Sequence, residues 1–285
     1  MINLPVLDQL KLKIFPSILR RLLRIDIFNI VKYKKIKIII LKKKFLIFKN
    51  NKLAIKINID RGSRPLKDGI DIIDNKLYFG DYWPNPNRKP VYLYEIDLNS
   101  FKKKIFFTFD RIRHIHCVKK DNYEKNCLYI CTGDEDYECG IYRLNINTKE
   151  IKALAQGAQK YRAVSLIQSR HKIFYGSDNP NGKNYIYVFD KVKKNCTALK
   201  KIEGPAYYST KDKYGNMYIA TTIENRKKHR AIIYRSKDDG KSWQEFREFK
   251  KDKLNSKYFG YGLVEFLNNQ DEKLKYKLLA LEEIS

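Results

Sequence analysis

The sequence predicts an all-β protein, a β-propeller built from four-stranded antiparallel blades. One observation is a repeat. "VYLYEIDLNS", "GIYRLNINTK", "YIYVFDKVKK" and "IIYRSKDDGK" align on Tyr94, Tyr142, Tyr187 and Tyr234, with gaps of 48, 45 and 47 residues. A second series, "KLYFGDYW", "CLYICTGDED", "KIFYGSDNP" and "NMYIATTIEN", aligns on Tyr78, Tyr129, Phe174 and Tyr218, with gaps of 51, 45 and 44. Two markers keep one spacing, which is the mark of a repeated structural unit. Another observation is the alphabet. The apolar runs are short, rich in Ile, Tyr, Val and Phe, and broken by Asn, Gly, Asp and Lys clusters, which is strand and turn punctuation. Finally, no stretch between 60 and 255 keeps a helical period.

The elements follow in order. Residues 1–25 read as an N-terminal strap, with a short basic helix over 17–25 carrying Ile18, Leu19, Leu22 and Leu23 on its apolar side. Packing on the main domain is the plain expectation for it, and peripheral contact with a membrane surface is the alternative. A single propeller domain is expected over 26–285. Residues 26–60 supply three or four strands through "IKIIIL", "KFLIF" and "KLAIKIN". Complete units run over 67–110, 111–160, 161–204 and 205–257. In the second of these, "IRHIHCV", "CLYICTG", "GIYRLNI" and "EIKALA" are strands a to d. Residues 258–285 add "FGYGLVEF" and "YKLLALEE". Five blades result if the chain ends merge, and six if 26–60 stands alone; six is preferred.

The formal charge of +27, from 59 basic and 32 acidic residues, raises nucleic acid as a partner. The lysines, however, fall at turns between apolar runs, without a basic face carrying interleaved stacking aromatics, so nucleic acid is not expected. An acidic ligand drawn in by the charge fits as well. Five cysteines, an odd number, and the lack of a signal peptide point to a reducing, cytoplasmic compartment. Cys117, Cys127, Cys131 and Cys139 have no CxxC spacing and read as core thiols rather than zinc ligands.

"YRSKDDGKSW", residues 234–243, falls between strands c and d of the last unit. Its Ser-x-Asp-x-Gly-x-Ser-Trp pattern resembles the Asp box, or BNR repeat, of sialidases and related propellers. That resemblance covers one blade and implies a structural role. Asp238 would satisfy turn donors, Trp243 would pack beneath, and Ser236 and Gly240 would complete the turn. In that family the motif lies away from the ligand face.

Alternating strands place the b–c loops and d–a connections on one rim. Acids recur there after strand b: Asp81, Asp134, Asp178 and Glu224. The d–a connections add Arg61, Arg64, Arg111, Arg113, His114, His116, Gln159, Arg162, Tyr207, Tyr208 and Tyr261. The other rim holds mostly Lys, Asn and Asp. Each recurring Asp could equally cap a turn. His114 and His116, two apart on strand a, share a face. They could act as general base, hold a divalent metal, or fill the channel with hydrogen bonds. No cofactor is expected otherwise. An arginine cluster suits a carboxylate, whose two oxygens match the guanidinium fork.

Sialidases grip a sugar carboxylate with three arginines and use a Tyr nucleophile activated by Glu, with an Asp as acid/base. The resemblance implies such roles for Arg64, Arg113 and Arg162, for Tyr207 or Tyr208, and for Glu224. The family's Arg-Ile-Pro signature is missing here, "SRPL" standing in its place. Propeller lyases of uronic-acid polymers are an equal comparison, combining channel His, Tyr and Arg residues. The expected function is therefore recognition of an acidic glycan, as hydrolase, lyase or binder, linked to surface-polysaccharide metabolism. The catalytic set would be His114, His116, Asp134, Asp178, Glu224, Tyr207 and Tyr208, and the binding set Arg64, Arg113, Arg162, Gln159, Asp81 and Tyr261. A non-catalytic scaffold binding protein or glycan is the alternative.

Overall fold

The fold is seen in a computed structural model that describes residues 16–23, 27–224, 230–267 and 274–284. Residues 1–15 and 24–26, part of the expected N-terminal strap and the first residue of the expected domain, lie outside the described residues. Among the described residues, five antiparallel blades of four consecutive strands follow one another along the chain, the last joined at its edge by a further strand. Blade one holds β1 (Asn29–Tyr33), β2 (Ile36–Leu41), β3 (Lys44–Lys49) and β4 (Lys52–Asn58). Blade two holds β5 (Ile70–Ile73), β6 (Lys76–Gly80), β7 (Val91–Asp97) and β8 (Lys103–Phe109). Blade three holds β9 (His114–Lys120), β10 (Cys127–Gly133), β11 (Gly140–Asn145) and β12 (Ile151–Gln156). Blade four holds β13 (Ile167–Gln168), β14 (Lys172–Gly176), β15 (Asn184–Asp190) and β16 (Asn195–Ile202). Blade five holds β17 (Ala206–Lys211), β18 (Met217–Thr221), β19 (Arg230–Ser236) and β20 (Gln244–Lys251).

Five blades replace the expected six. Within the segment expected as 26–60, residues 29–58 do form a blade of their own, but the C-terminal segment does not complete another. β21 (Leu263–Phe266) and β22 (Tyr276–Leu279) make a two-stranded sheet. The chain then turns at Ala280, and β23 (Leu281–Glu283) joins the outer edge of blade five beside β20. The run "YKLLALEE" is thus two short strands serving two sheets.

The core lies between neighbouring blades. Blades one and two share Ile38, Phe45, Leu77, Phe79 and Ile96. Leu93, Ile115, Leu128 and Ile130 join blades two and three. Ile141, Ile173 and Tyr175 join three and four, with Cys117 and Cys131 among them as buried thiols. Phe174, Ile219, Tyr234 and Trp243 join four and five, while Tyr208, Ala220, Val264 and Leu281 seat the C-terminal hairpin.

One irregularity repeats with the blades. The pairing of third and fourth strands slips by one residue at Ile47/Phe48, Leu93/Tyr94, Ile141/Tyr142, Ile186/Tyr187 and Ile233/Tyr234. Each slip leaves Ala54, Phe106, Leu154, Leu199 or Phe246 as the extra residue of the outermost strand. Such bulges bend a strand and deepen its right-handed twist. In blades two to five the anchoring tyrosines of the sequence repeat therefore mark the point at which the blade twists.

At the N-terminus, α1 (Ser17–Leu23) sits against α2 (Ser256–Phe259). Arg21 Nη1 lies 2.8 Å from Asp252 Oδ2, and its Nη2 donates to the carbonyl of Phe259 at 2.9 Å. Ile18, Leu19, Leu22 and Leu23 stay exposed. Among the described residues, no helix is long and apolar enough to cross a membrane.

Candidate functional site

The site is assembled where the b–c loops meet the starts of the innermost strands. His114 opens β9, and its neighbour His116 is the extra residue of a bulge. Cys117 pairs with Cys131 and Ile115 with Thr132, so His116 has no partner in the ladder. The two rings converge, their Nε2 atoms 2.8 Å apart. Gly133 gives them room. A Cβ there would come within 3.0 Å of His116 Cε1.

Asp134, the first residue after β10, faces both rings. Its Oδ1 lies 3.3 Å from each Nε2. The same oxygen is 2.9 Å from Arg162 Nη2, and Oδ2 is 2.8 Å from Arg113 Nη1. Its backbone is fixed as firmly. The carbonyl of Asp134 accepts from Gln159 Nε2 at 2.6 Å and from Arg162 Nη1 at 3.2 Å, and its N–H donates to Glu138 Oε2 at 2.8 Å. Glu138 is buried, closes a capping box on the short helix 136–138, and pairs with Arg88 from the b–c loop of blade two. Burial pushes Glu138 up, but the N–H groups of Asp134 and Glu135 and the guanidinium of Arg88 outweigh it and hold its carboxyl below the usual range.

Arg162 also reaches Asp178, Nε to Oδ2, at 3.1 Å. One guanidinium thus lies between two acids from successive blades. The acids are not alike. Burial pushes Asp134 up, yet the imidazoles beside it overcome that and hold its carboxyl far below the usual range. Burial pushes His116 down to about 4, against the pull of Asp134. The guanidiniums of Arg113 and Arg162, both within 3 Å of Asp134, act in the same direction. Asp178, fully enclosed, is pushed well up by burial, with Glu224 and Asp134 adding to the effect against Arg162. Burial likewise raises Glu224, which takes a hydrogen bond from Tyr207. Tyr207 is again a bulge residue, unpaired between Ala206 and Tyr208. Bulges on the innermost strands of blades three and five therefore turn a His and a Tyr into the site, a common use of bulges beside functional groups.

A cavity of about 410 Å³ opens beside this cluster. Lys42, Arg64 and Arg113 give it three cations, Tyr82 and Trp83 two rings, and His114 joins it to the Asp134 group. The Tyr82 ring lies 4.3 Å from the His114 ring, tilted by 42° to it, and the carbonyl of Trp83 lies 3.1 Å from His114 Nδ1.

The residues expected at the rim divide into groups. His114, His116, Asp134, Arg113 and Arg162 come together, with Asp178 tied to Arg162; Tyr207 and Glu224 form a hydrogen-bonded pair close enough to Asp178 to feel its charge. Gln159 acts on the backbone of Asp134. Arg64 shares the cavity with Arg113, whereas Arg162 is not among its lining residues. Asp81 is buried beneath its loop, where it accepts from the Tyr92 N–H at 3.0 Å and faces Arg61 at 3.6 Å. Tyr208 points into the core shared with the C-terminal hairpin, against Lys67. Tyr261 is an exposed residue just before β21. Lys42, Tyr82, Trp83, Arg88 and Glu138 escaped the sequence reading, although "FGDYW" held a usable signal in one of only two tryptophans.

The turn between β19 and β20 lies on the other rim. Asp238 accepts from Ser236 Oγ and the Ser242 N–H at 2.8 and 2.9 Å, and from Ser242 Oγ at 2.6 Å. Trp243 Nε1 donates to the Gly240 carbonyl at 3.2 Å, with the indole buried. The side-chain polar atoms of Ser236, Asp238, Ser242 and Trp243 are thus hydrogen-bonded within the turn.

No protein-family model matches the chain, and no curated protein does. Solved structures do. The extracellular domain of the putative hybrid two component system BT3049 from B. thetaiotaomicron aligns over 90% of this chain at TM-score 0.54 and 12% identity. This chain spans 34% of that one, about a third of its length. A putative TolB from Agrobacterium tumefaciens aligns over 76% of this chain and 78% of its own, at TM-score 0.52 and 11% identity. The N-terminal domain of Nup159 aligns over 93% and 73%, at TM-score 0.50 and 12% identity. The class so defined is the β-propeller, and at these identities the likeness concerns fold alone.

Proposed function

We propose that this propeller recognises a carboxylate-bearing sugar at the cavity beside His114. The observation that carries the reading is the lining: three cations, Lys42, Arg64 and Arg113, around two aromatic rings, Tyr82 and Trp83, in about 410 Å³. That volume falls within the roughly 300–1,000 Å³ typical of small-molecule sites. Rings offer a flat face to the C–H side of a sugar, and guanidinium groups match its carboxylate. The positive charge of the chain would draw such a ligand in.

A catalytic reading is favoured by a different observation. Around Arg162, one acid is held ionised (Asp134) while two are raised by burial (Asp178 and Glu224). Carboxyl groups driven apart in this way are what hydrolysis or β-elimination of an acidic glycan needs, one to give a proton and another to stay charged. Tyr207, hydrogen-bonded to Glu224, matches the Tyr/Glu variant of retaining hydrolysis that the resemblance to sialidases implied. The Asp-box-like turn at Asp238 agrees with that comparison for the scaffold only.

The test is titration of the purified protein with glucuronic acid, N-acetylneuraminic acid and an oligogalacturonide, against maltose as a neutral control, by calorimetry and Trp fluorescence. Binding of an acidic sugar, with none of maltose, is expected. Trp83→Ala should weaken it about tenfold, the loss of one good ring contact. Equal binding of maltose, or no binding of any acid, would overturn the reading. Release of product from the oligogalacturonide, abolished by Glu224→Gln, would favour catalysis over binding alone.

A further inference from the structure

We propose that His114, His116 and Asp134 form a binding site for one first-row divalent transition-metal ion, beside the cavity that His114 lines. Among the described residues, these three side chains are the one group of His, Cys, Asp or Glu whose donor atoms gather within 4.8 Å. The donor atoms make a triangle with edges of 2.8, 3.3 and 3.3 Å. Ligand atoms bonded at about 2.1 Å stand roughly 3.0 Å apart on an octahedral face and roughly 3.4 Å apart on a tetrahedral one. A triangle of these edges has a circumscribed radius of about 1.8 Å, less than the bond length of about 2.1 Å. An ion would therefore sit about 1 Å above the plane, touching all three donors without any of them moving.

Protonation agrees with this arrangement. The carbonyl of Trp83 can only accept, so His114 Nδ1 carries the hydrogen of that 3.1 Å bond. In the neutral ring this leaves the lone pair on Nε2, facing His116 and Asp134. A ligand imidazole whose other nitrogen donates to a carbonyl is the usual outer support of a metal site. His116 Nδ1 is buried without a partner, and Asp134 Oδ1 has no aligned hydrogen bond. Two facing Nε2 atoms at 2.8 Å require one hydrogen between them, and a metal ion would take its place as that proton moves to His116 Nδ1.

Arg113 and Arg162 stand close enough to oppose a cation, and the acids around them bear on that cost. Asp134 is held by both arginines, and Asp178, in the b–c loop of the blade that Arg162 leads into, faces Arg162, with Glu224 nearby. Two imidazoles and a single carboxylate suit zinc, manganese, cobalt or iron better than calcium or magnesium, which prefer all-oxygen sites. Three protein donors leave positions open for water or a ligand. The inference goes beyond the acidic-sugar reading, and its test uses no sugar.

The experiment is titration of the chelator-treated chain with Co²⁺ and Zn²⁺, followed by visible absorption for Co²⁺ and by calorimetry for both. One ion per chain is expected, with Zn²⁺ displacing Co²⁺ and erasing its absorption bands. His114→Gln and His116→Gln should each weaken binding by more than the roughly 10–100-fold that loss of an outer partner costs. His171→Ala, at an exposed histidine outside the site, should change nothing. Melting of each variant without metal separates misfolding from ligand loss. Should His116→Gln fail to fold, His114→Gln and Asp134→Asn decide the matter. A wild-type chain that binds no stoichiometric ion, or folded variants that bind it as tightly, would overturn the proposal.

Discussion

Arg162 Nε lies 3.1 Å from Asp178 Oδ2, joining the entry of blade four to the b–c loop of the same blade. The guanidinium is well buried, and its Nη2 holds Asp134 at the same time. Cutting one partner out of a buried ionic group is costly, about 3–5 kcal/mol, because the charges left behind have lost their solvation. Asp178, already pushed up by burial, can take a proton and soften that loss. Arg162→Met should therefore cost about 3 kcal/mol and lower Tm by roughly 6–12 °C. Adding Asp178→Asn should recover part of it. Thermal melts of the two variants check this, and a single variant melting within 2 °C of wild type would rule it out.

Gly240 gives a prediction that separates scaffold from site. Its φ is +83°, in the left-handed region, and a Cβ there would lie 2.3 Å from Phe174 Cε1. A side chain in this conformation costs roughly 1–2 kcal/mol before any clash. The Phe174 ring is locked in the core between blades four and five, so the clash adds to that. Gly240→Ala should lower Tm by several degrees while leaving sugar and metal titrations unchanged, since the turn is on the far rim. Loss of ligand binding at a temperature where the variant remains folded would mean the turn has a role beyond holding the blade.

How much of this was legible in the sequence depends on what each residue had to signal. The period was legible because Tyr94, Tyr142, Tyr187 and Tyr234 fall on the third strand of every blade but the first. The bulges were not. Phe106, Leu154, Leu199 and Phe246 are ordinary apolar residues of their strands, and nothing in their type says that they lack a ladder partner. Blade number failed for a related reason. "FGYGLVEF" and "YKLLALEE" have strand composition, but composition does not say which sheet a strand joins. The rim acids were legible by position, and Asp134 and Asp178 do lie at the site. Asp81, equivalent by sequence, turns inward to the Tyr92 N–H. Between Tyr207 and Tyr208 the choice rested on the bulge at Tyr207, which pattern alone could not reveal.

Asp81 closes the set with a pH dependence. Burial pushes its carboxyl up to about 6, overriding the Tyr92 N–H and the Arg61 guanidinium, which pull it down. A folded-state pKa above the unfolded value means that the native state binds the extra proton. Stability should therefore fall as pH rises from about 4 to about 6, with the whole penalty present above that window and none of it below. A shift of this size is worth up to about 3 kcal/mol. Asp81→Asn keeps an oxygen for the Tyr92 N–H and carries no charge. The variant should match wild type near pH 4, exceed it at pH 7, and show a flatter stability profile between. Urea unfolding at several pH values measures the slope directly. A wild-type slope of the opposite sign across that window, or an Asn variant with the same slope as wild type, would show that Arg61, at 3.6 Å, neutralises the buried charge after all.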